Sequence, residues 1–207
     1  MISTNGLCTR KRRPNHFIFN TIAMARYSVE RSWFTHFFLA DTKSAWIWLI
    51  VRLYVGYEWL MAGWEKFTDP NGVWVGANAP QALTGFLQGA LAKTAAATGS
   101  AHPDVQDWYA WFITHVALPN ATVFSYLVTY GEMLVGIALI LGFLTGISVF
   151  FGMFMNLNFM LAGTVSVNPI WFVLSLGIIL AWRISGYYGL DRYVLPLLFH
   201  SLRQQRQ

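Results

Sequence analysis

The chain has 207 residues, of which 56% are hydrophobic and 11% are charged, and its formal net charge is +5. A soluble domain carries about 25% charged residues, so this composition excludes a water-facing surface and predicts an integral membrane protein. The basic residues cluster near the chain ends, where they favour an anionic bilayer surface over nucleic acid as a partner. Cys8 is the single cysteine, which excludes an internal disulfide or CxxC couple. Any redox role therefore needs a bound cofactor, a quinone or a partner subunit.

Residues 1–44 are predicted to form a basic, amphipathic arm on the cytoplasmic side. The stretch RKRRPNHFIFNTIAMA is similar to a signal peptide, but Asn20 and Thr21 break its apolar part, so we expect it to be retained. Met24 is an alternative translation start. The segment RYSVERSWFTHFFLA is predicted to lie along the inner membrane surface. The side chains expected to face lipid are Trp33, Phe34, Phe37 and Phe38.

Four apolar windows follow, each close to the roughly 20 residues that a membrane-spanning helix needs. The short turns GFLTG and SVNP join the last three windows, and short connections make neighbouring helices antiparallel. The sequence therefore predicts an all-α integral membrane protein, an antiparallel four-transmembrane-helix bundle over residues 45–196. The predicted spans are residues 45–64, 121–143, 146–165 and 169–188.

The loop of residues 68–120 contains Lys93 as its one Lys or Arg, whereas both chain ends, including the tail of residues 197–207, are basic. The positive-inside rule then places both termini in the cytoplasm and this loop outside a prokaryotic cytoplasmic membrane. Two stretches of the loop, PQALTGFLQGALAKTAAATG and VQDWYAWFITHVALP, are predicted to form interfacial helices that cap the outer mouth of the bundle. The tryptophans expected around this mouth are Trp59, Trp64, Trp74, Trp108 and Trp111.

Ionisable side chains lie inside the predicted spans, where each costs about 2.5–3.5 kcal/mol at mid-bilayer. Arg52 and Glu58 lie in the first span, Glu132 in the second and Arg183 in the fourth. Their charges sum to zero, which predicts mutual compensation inside the bundle. Arg52 points about 120° away from Glu58 around the helix, so it is expected to meet Glu132 or a neighbouring carbonyl. Small and polar residues share one face of the second span: Ser125, Thr129, Glu132 and Gly136.

These charges have two interpretations that the sequence leaves open. They are buried ion pairs that fix the helix register, or they line a polar pocket that binds a quinone headgroup or relays protons. No pair of histidines lies in the spans to hold haem, and no clustered ligand spacing indicates a metal site.

The motifs themselves resemble a known family. An arginine early in the first span, GWEKF at its outer end and YGEMLVGIALILGFLTGISVFFG resemble the DoxX family of four-span membrane proteins over residues 44–196. They are also similar to the DoxD-like large subunit of thiosulfate:quinone oxidoreductase. The resemblance implies a membrane component of redox or sulfur metabolism, with electrons passing to quinone in one branch. The residues at family-motif positions are Arg52, Gly63, Lys66, Glu132, Gly136, Gly142 and Thr145.

We therefore expect a membrane subunit of a quinone-linked oxidoreductase. Glu132, Arg52 and Glu58 would form the catalytic pocket, with Glu132 as proton acceptor and Asn156 donating a hydrogen bond to a quinone carbonyl. Further contacts to the quinone are expected from Arg183 and Tyr54. Other subunits of a membrane redox complex, or further copies of this chain, are the expected partners.

A non-catalytic scaffold or assembly subunit is the alternative, because this chain has no cofactor motif of its own. A small-solute carrier ranks third, because the sequence shows neither an inverted repeat nor a broken helix.

Overall fold

The computed structural model describes residues 32–204, and every regular element in that range is a helix, as predicted. The one β feature among these residues is an isolated bridge between Thr94 and Val105. The basic stretch, the signal-like segment and Met24 lie outside the described residues. The helices are α1 Trp33–Ala40, α2 Ala45–Phe67, α3 Gln81–Leu91, α4 Ala95–Thr98, α5 Asp107–Phe112, α6 Ala121–Leu141, α7 Thr145–Leu161, α8 Asn168–Leu180, α9 Trp182–Ser185 and α10 Asp191–Gln204. A 3₁₀ turn, Thr42–Ser44, precedes α2, and a π-helical turn, Ile113–Ala117, follows α5.

The predicted first three spans correspond to α2, α6 and α7, with small shifts at their ends. Helix α2 continues to Phe67. Helix α6 ends at Leu141 because Gly142 adopts a left-handed conformation with φ of 65°, which terminates a helix at low cost only for glycine. Helix α7 ends at Leu161, shortly before Gly163 with φ of 74°.

The prediction of one continuous helix over residues 169–188 is wrong. Helix α8 ends at Leu180, and Ala181 leaves helical geometry with φ of −99° and ψ of 22°. The chain then resumes as the short helix α9. The expectation that no helix is broken is therefore also wrong. Nothing in the composition of this stretch signals the break, because Ala181 is neither proline nor glycine.

Helix α6, Ala121–Leu141, is the one helix among the described residues that is long and apolar enough to cross a membrane, with a mean hydropathy of 1.7. Helices α7 and α8 are apolar but shorter. Helix α2 is longer than α6, with 23 residues, and it carries four charged side chains: Arg52, Glu58, Glu65 and Lys66.

Helices α2 and α6 form the most extensive helix pair, and glycines allow them to approach closely. A Cβ on Gly136 would overlap the backbone of Leu60. A Cβ on Gly63 would lie 2.7 Å from Met133 and 3.0 Å from the carbonyl oxygen of Thr129. Small residues permit this kind of close packing between membrane helices. The helix α7 then packs on α6 and α8.

A buried cluster of Val55, Trp59, Val135, Leu139, Val149 and Ile178 fills the centre of the helix bundle. Trp59 is only 1% exposed, so its predicted place at the outer mouth is wrong. The indole fits inside because Gly152 has no side chain, and a Cβ there would lie 3.2 Å from Trp59 Nε1. Trp64, Trp108 and Trp111 are exposed.

The two ends of the bundle differ. We call the end with the α6–α7 turn of residues 142–145 the turn end, and the end with residues 68–120 the loop end. At the loop end, α3 and the α5 segment form their own buried cluster, which includes Leu87 and Tyr109 and packs against Phe124 and Leu161 of the bundle. The prediction of two helical stretches in this loop is therefore confirmed.

The described residues include part of each segment that flanks the bundle, residues 32–44 before it and the helix α10 after it. In α1, Trp33 is highly exposed, and the carbonyl of Phe38 accepts a hydrogen bond of 2.7 Å from Trp48 Nε1. Helix α10 runs through Pro196, across the predicted boundary between the bundle and the basic tail.

Replacing Gly136 with alanine tests the close helix contact. Alanine normally stabilises a helix by roughly 0.5–1 kcal/mol relative to glycine, but here the added methyl group meets Leu60, and overpacking costs about 1–3 kcal/mol. We expect Gly136→Ala to lower the unfolding temperature in detergent. Gly89→Ala is the matched control, because a Cβ there meets nothing within 4 Å. Equal unfolding temperatures for the two variants would contradict the close contact.

Candidate functional site

A buried ion pair joins α2 to α6. Lys66 Nζ lies 2.7 Å from Glu132 Oε2, and it also donates to the carbonyl of Ala62 at 3.2 Å. The Glu132 side chain is 1% exposed and the Lys66 side chain is 19% exposed. A charged hydrogen bond of this length is among the stronger polar contacts in proteins. The pair therefore neutralises Glu132 while leaving Lys66 partly accessible.

The glycine contacts explain why these two side chains meet. Lys66 follows Gly63 by three positions on α2, and Glu132 precedes Gly136 by four positions on α6. Residues at these spacings lie on one face of a helix. Because the glycines fix where the two helices touch, they also bring the ammonium and the carboxylate to the same height.

Lys66 also faces an open cleft at the loop end. The cleft has a volume of about 480 Å³. Lys66 Nζ lies 5.2 Å from the centroid of the Trp74 ring, at cation–π distance. The carbonyl of Trp74 accepts a 2.6 Å hydrogen bond from Ser125 Oγ of α6, which fixes this loop beside the ion pair. The residues lining the cleft are Ala62, Glu65, Lys66, Thr68, Asp69, Pro70 and Trp74.

Arg52 lies far from this pair, so the predicted contact between Arg52 and Glu132 is wrong. Arg52 and Lys66 are separated by 14 positions on α2, or about 21 Å along the helix axis. Arg52 is 1% exposed, and its Nη2 donates to the carbonyl of Tyr188 at 3.1 Å. The alternative of a neighbouring carbonyl is therefore confirmed. Both Arg52 and Glu132 are buried in the protein, as expected, but they lie at opposite ends of the helix bundle.

The turn end contains the network that holds Arg52. A Cβ on Gly142 would collide with the guanidinium, and a Cβ on Gly189 would lie 2.6 Å from Nη1. The negative charge of the Asp191 carboxylate favours the positive charge of Arg52 electrostatically. Arg52 therefore joins α2 to the segment after α9 by a hydrogen bond and packs against Gly142 of the α6–α7 turn. Its Nε and Nη1 are buried without a hydrogen-bond partner among the described residues.

Asp191 also caps the start of α7. Its carboxylate oxygens accept from the amide of Leu144 at 2.6 Å and the amide of Thr145 at 2.9 Å. A carboxylate at a helix N-terminus satisfies free amides and complements the helix dipole. The amide of Asp191 in turn donates to the carbonyl of Gly142 at 2.8 Å.

The structure brings none of the other predicted site residues to the ion pair. Glu58 is half-buried, and it forms no hydrogen bond or ion pair within the described part of the chain. Tyr54 is exposed. Arg183 is exposed, and its Cζ lies 5.2 Å from the Trp182 ring.

Asn156 is buried. One N–H of its Nδ2 donates to the carbonyl of Asn168 at 3.0 Å, and the donation of the other to a quinone carbonyl stays a prediction. The Oδ1 atom of Asn156 and the Nε1 atom of Trp59 are buried without a hydrogen-bond partner among the described residues.

Sequence reasoning missed two residues of these networks. Lys66 was recognised as a motif position but not as the partner of Glu132, because spacing within one helix does not fix its register with another. Asp191 lies beyond the predicted last span, and no sequence motif indicated its role. Within residues 32–204, no group of three or more His, Cys, Asp or Glu is arranged to hold a metal ion.

A second polar contact links the loop end to α7. The Tyr109 hydroxyl donates to the carbonyl oxygen of Asn158 at 3.0 Å and lies 3.2 Å from its Oδ1. Burial raises the pKa of Tyr109 from 10.0 to about 12, because the charged phenolate is poorly solvated there. The Tyr109 hydroxyl therefore stays protonated and holds the α5 segment against α7.

This pKa shift predicts a pH-dependent stability. As the pH rises from about 10 to about 12, the unfolded chain releases the Tyr109 proton before the folded chain does, so the free energy of unfolding falls by up to about 3 kcal/mol. For Tyr109→Phe, the free energy of unfolding should be about 0.5–1.5 kcal/mol lower at neutral pH. It should also fall less steeply above pH 10 than in wild type. The measurement is denaturant unfolding in detergent across that range. Tyr193→Phe, at an exposed site, is the control and should behave as wild type.

Removing one partner of the Lys66–Glu132 ion pair should destabilise the fold more than replacing both partners. Lys66→Met leaves the buried Glu132 carboxylate without its ammonium, and breaking a buried pair costs about 3–5 kcal/mol. Because Lys66 is partly exposed, we expect the lower end of that range. The double variant Lys66→Met with Glu132→Gln should recover part of the loss. Unfolding temperatures measure this, and equal losses in the two variants would argue against the pair.

Comparison with known proteins adds one match. Residues 47–167, more than half of the chain, match the family model described as DoxX. No curated protein and no solved structure matches the chain.

Proposed function

The chain belongs to the DoxX family of membrane proteins, and on that basis we propose that it is the membrane subunit of a quinone-linked oxidoreductase. In this proposal the Lys66–Glu132 pair is the site that contacts the quinone and exchanges protons with it. Glu132 keeps the role predicted from the sequence. Lys66 replaces Arg52, Glu58 and Asn156 as its working partner.

The proposal includes a membrane arrangement. Helices α2, α6 and α7, and the broken α8–α9 segment, would each cross a prokaryotic cytoplasmic membrane, in alternating directions. The basic chain ends favour a cytoplasmic turn end. The Lys66–Glu132 pair and its cleft would then lie close to the outer surface of the membrane.

One observation carries the chemistry: a buried carboxylate and a partly exposed ammonium share a 2.7 Å contact beside an open cleft. A bound quinone takes up two electrons and two protons to become the quinol. Lys66 can donate a hydrogen bond and then a proton from its ammonium to the quinone, and water in the open cleft would supply both protons by reprotonating Lys66 after each transfer. A proton that moves from Lys66 to Glu132 leaves the pair without net charge. The electrons would come from a redox partner subunit.

The cleft has properties that suit a quinone ring. Its volume of about 480 Å³ lies within the range of about 300–1,000 Å³ for small-molecule sites. The Trp74 ring supplies a flat aromatic face next to Lys66. The Asp69 carboxylate accepts from the backbone amides of Asn71 and Val73 and shapes the rim, so Lys66 and the exposed Glu65 are the charged side chains that face the ligand. Membership of the thiosulfate:quinone branch is a narrower prediction that this proposal does not require.

A scaffold role is the second candidate, and the turn-end network favours it. Arg52, Asp191 and Gly142 hold three segments together without offering an accessible site. In that role the bundle would position partner subunits, and Lys66–Glu132 would be another structural tie.

Binding of a short-chain quinone to the purified full chain separates the two candidates. We expect saturable quenching of tryptophan fluorescence, reduced in Trp74→Phe. Glu132→Gln should weaken binding at least about tenfold, or about 1.4 kcal/mol, because it changes the charge state of Lys66's partner.

Glu58→Gln is the matched control, since it makes the same chemical change on α2 away from the cleft, and it should bind as wild type. Unchanged affinity in Glu132→Gln would remove the ion pair from quinone binding. A folded wild-type preparation without saturable quenching would favour the scaffold role.

A further inference from the structure

Glu58 of α2 is a charged side chain without a partner among the described residues. It is half-buried, and it forms no hydrogen bond or ion pair within residues 32–204. It lies 13 positions after Ala45, where α2 begins, and 9 positions before Phe67, where α2 ends. These positions correspond to about 20 Å and about 14 Å along the helix axis. In a helix that crosses the membrane, Glu58 therefore lies near the middle of a hydrocarbon core about 30 Å thick.

No cation in the described part of the bundle compensates this charge. Helices α6 and α8 pack against α2, and neither of them contains Lys or Arg, nor does α7. On α2 itself, Arg52 is enclosed at the turn end, and Lys66 is paired with Glu132. Arg183 follows α8 in the short helix α9, beside the first turn of α7. The negative charge of Glu58 is therefore unmatched at its own depth.

The location makes a lone carboxylate costly. Charged side chains inside a membrane pair with other groups or face a water-filled cavity, and Glu58 does not line the Lys66 cleft. Long Lys and Arg side chains near the ends of a helix extend to the membrane surface, but a glutamate in the middle of a helix cannot. A cation supplied at this depth by another chain removes the cost.

The surface around Glu58 has the residue spacing of a helix-packing seam. Steps of four and three residues along α2 keep side chains on one face, and repeats of this kind let two helices pack along their length. Every side chain of the seam is at least partly exposed. We call this face the α2 seam, and it consists of Ile47, Val51, Tyr54, Glu58 and Met61. The α2 seam thus presents one carboxylate among apolar and aromatic side chains.

The charge also distinguishes a second copy of this chain from a different partner. Two copies that pack through the same face form a two-fold symmetric interface. The α2 seam contains no Lys or Arg, so such a dimer would leave both Glu58 carboxylates unpaired between its subunits. A different chain with a cation at this depth would be favoured over a second copy, because an unpaired charge disfavours the wrong partner.

We propose that the α2 seam docks a membrane-crossing helix of another protein subunit, which presents a Lys or Arg side chain opposite Glu58. The proposal rests on the membrane arrangement proposed for α2, and it adds the surface and the chemistry by which a partner subunit is recognised. It does not depend on quinone binding, because Glu58 lies outside the Lys66 cleft.

Binding of designed peptides to the full chain in phosphatidylcholine liposomes tests the proposal. The probes are two leucine-rich membrane-spanning peptides that differ only at the central residue, which is lysine in one and leucine in the other. A donor dye on Cys8, the single cysteine, and an acceptor dye on the peptide report association by energy transfer. We expect wild type to bind the lysine peptide at least about tenfold more tightly than the leucine peptide, a difference of about 1.4 kcal/mol.

Three variants locate the contact. Glu58→Gln should bind the two peptides equally. Tyr57→Gln is the matched control, because it places the same amide at a neighbouring exposed position outside the α2 seam, and it should keep the wild-type preference. Glu58→Lys should instead prefer a peptide with a central glutamate, which is a gain that a misfolded protein would not show.

Equal affinity of wild type for the lysine and leucine peptides would overturn the proposal, and so would a lysine preference that survives in Glu58→Gln. Energy transfer between two labelled copies of the chain that is lost in Glu58→Gln would assign the α2 seam to a second copy instead. Quenching by short-chain quinone should be unchanged in Glu58→Gln, so this test and that of the ion pair can fail separately.

Discussion

The close contact between α2 and α6 is the constraint on which the rest of the structure depends. Gly63 and Gly136 remove the side chains that would hold these helices apart, and the contact then fixes their relative height. That height places Lys66 opposite Glu132. An ion pair that is mostly buried is weak evidence of stability by itself, but here its position follows from packing that would exist without it. The charges therefore occupy a place that the glycines determine.

The two ends of α2 carry different kinds of charge contact. At the turn end, Arg52 is enclosed by backbone from Gly142 and Gly189, which leaves no room for a ligand. At the loop end, Lys66 keeps part of its ammonium at an open cleft. Access of a ligand therefore distinguishes Arg52, a structural charge, from Lys66, a candidate reactive charge, although both lie on α2.

The sequence predicted much of the fold and part of the site, for identifiable reasons. Apolar length and terminal glycines located α2, α6 and α7, and helical spacing located α3 and the α5 segment. The inward placement of Glu132 followed from the cost of a charge in hydrocarbon. The partner of Glu132 did not follow, because depth counted along single helices ignores the register between them. Trp59 was misplaced for a related reason: its burial depends on the missing side chain of Gly152, a residue on another helix.

The cap on α7 has a consequence for how the chain is made. Leu144, just before this helix, adopts a positive φ of 46°, which is unfavourable for a side chain of its kind, and the Asp191 carboxylate receives the amides exposed there. That carboxylate is 46 positions later than Thr145. During synthesis the helix emerges first, and its N-terminus stays uncapped until the chain has been translated a further 46 positions, as far as Asp191. Assembly of the turn end is therefore a late step, in which one acidic residue closes a structure laid down well before it.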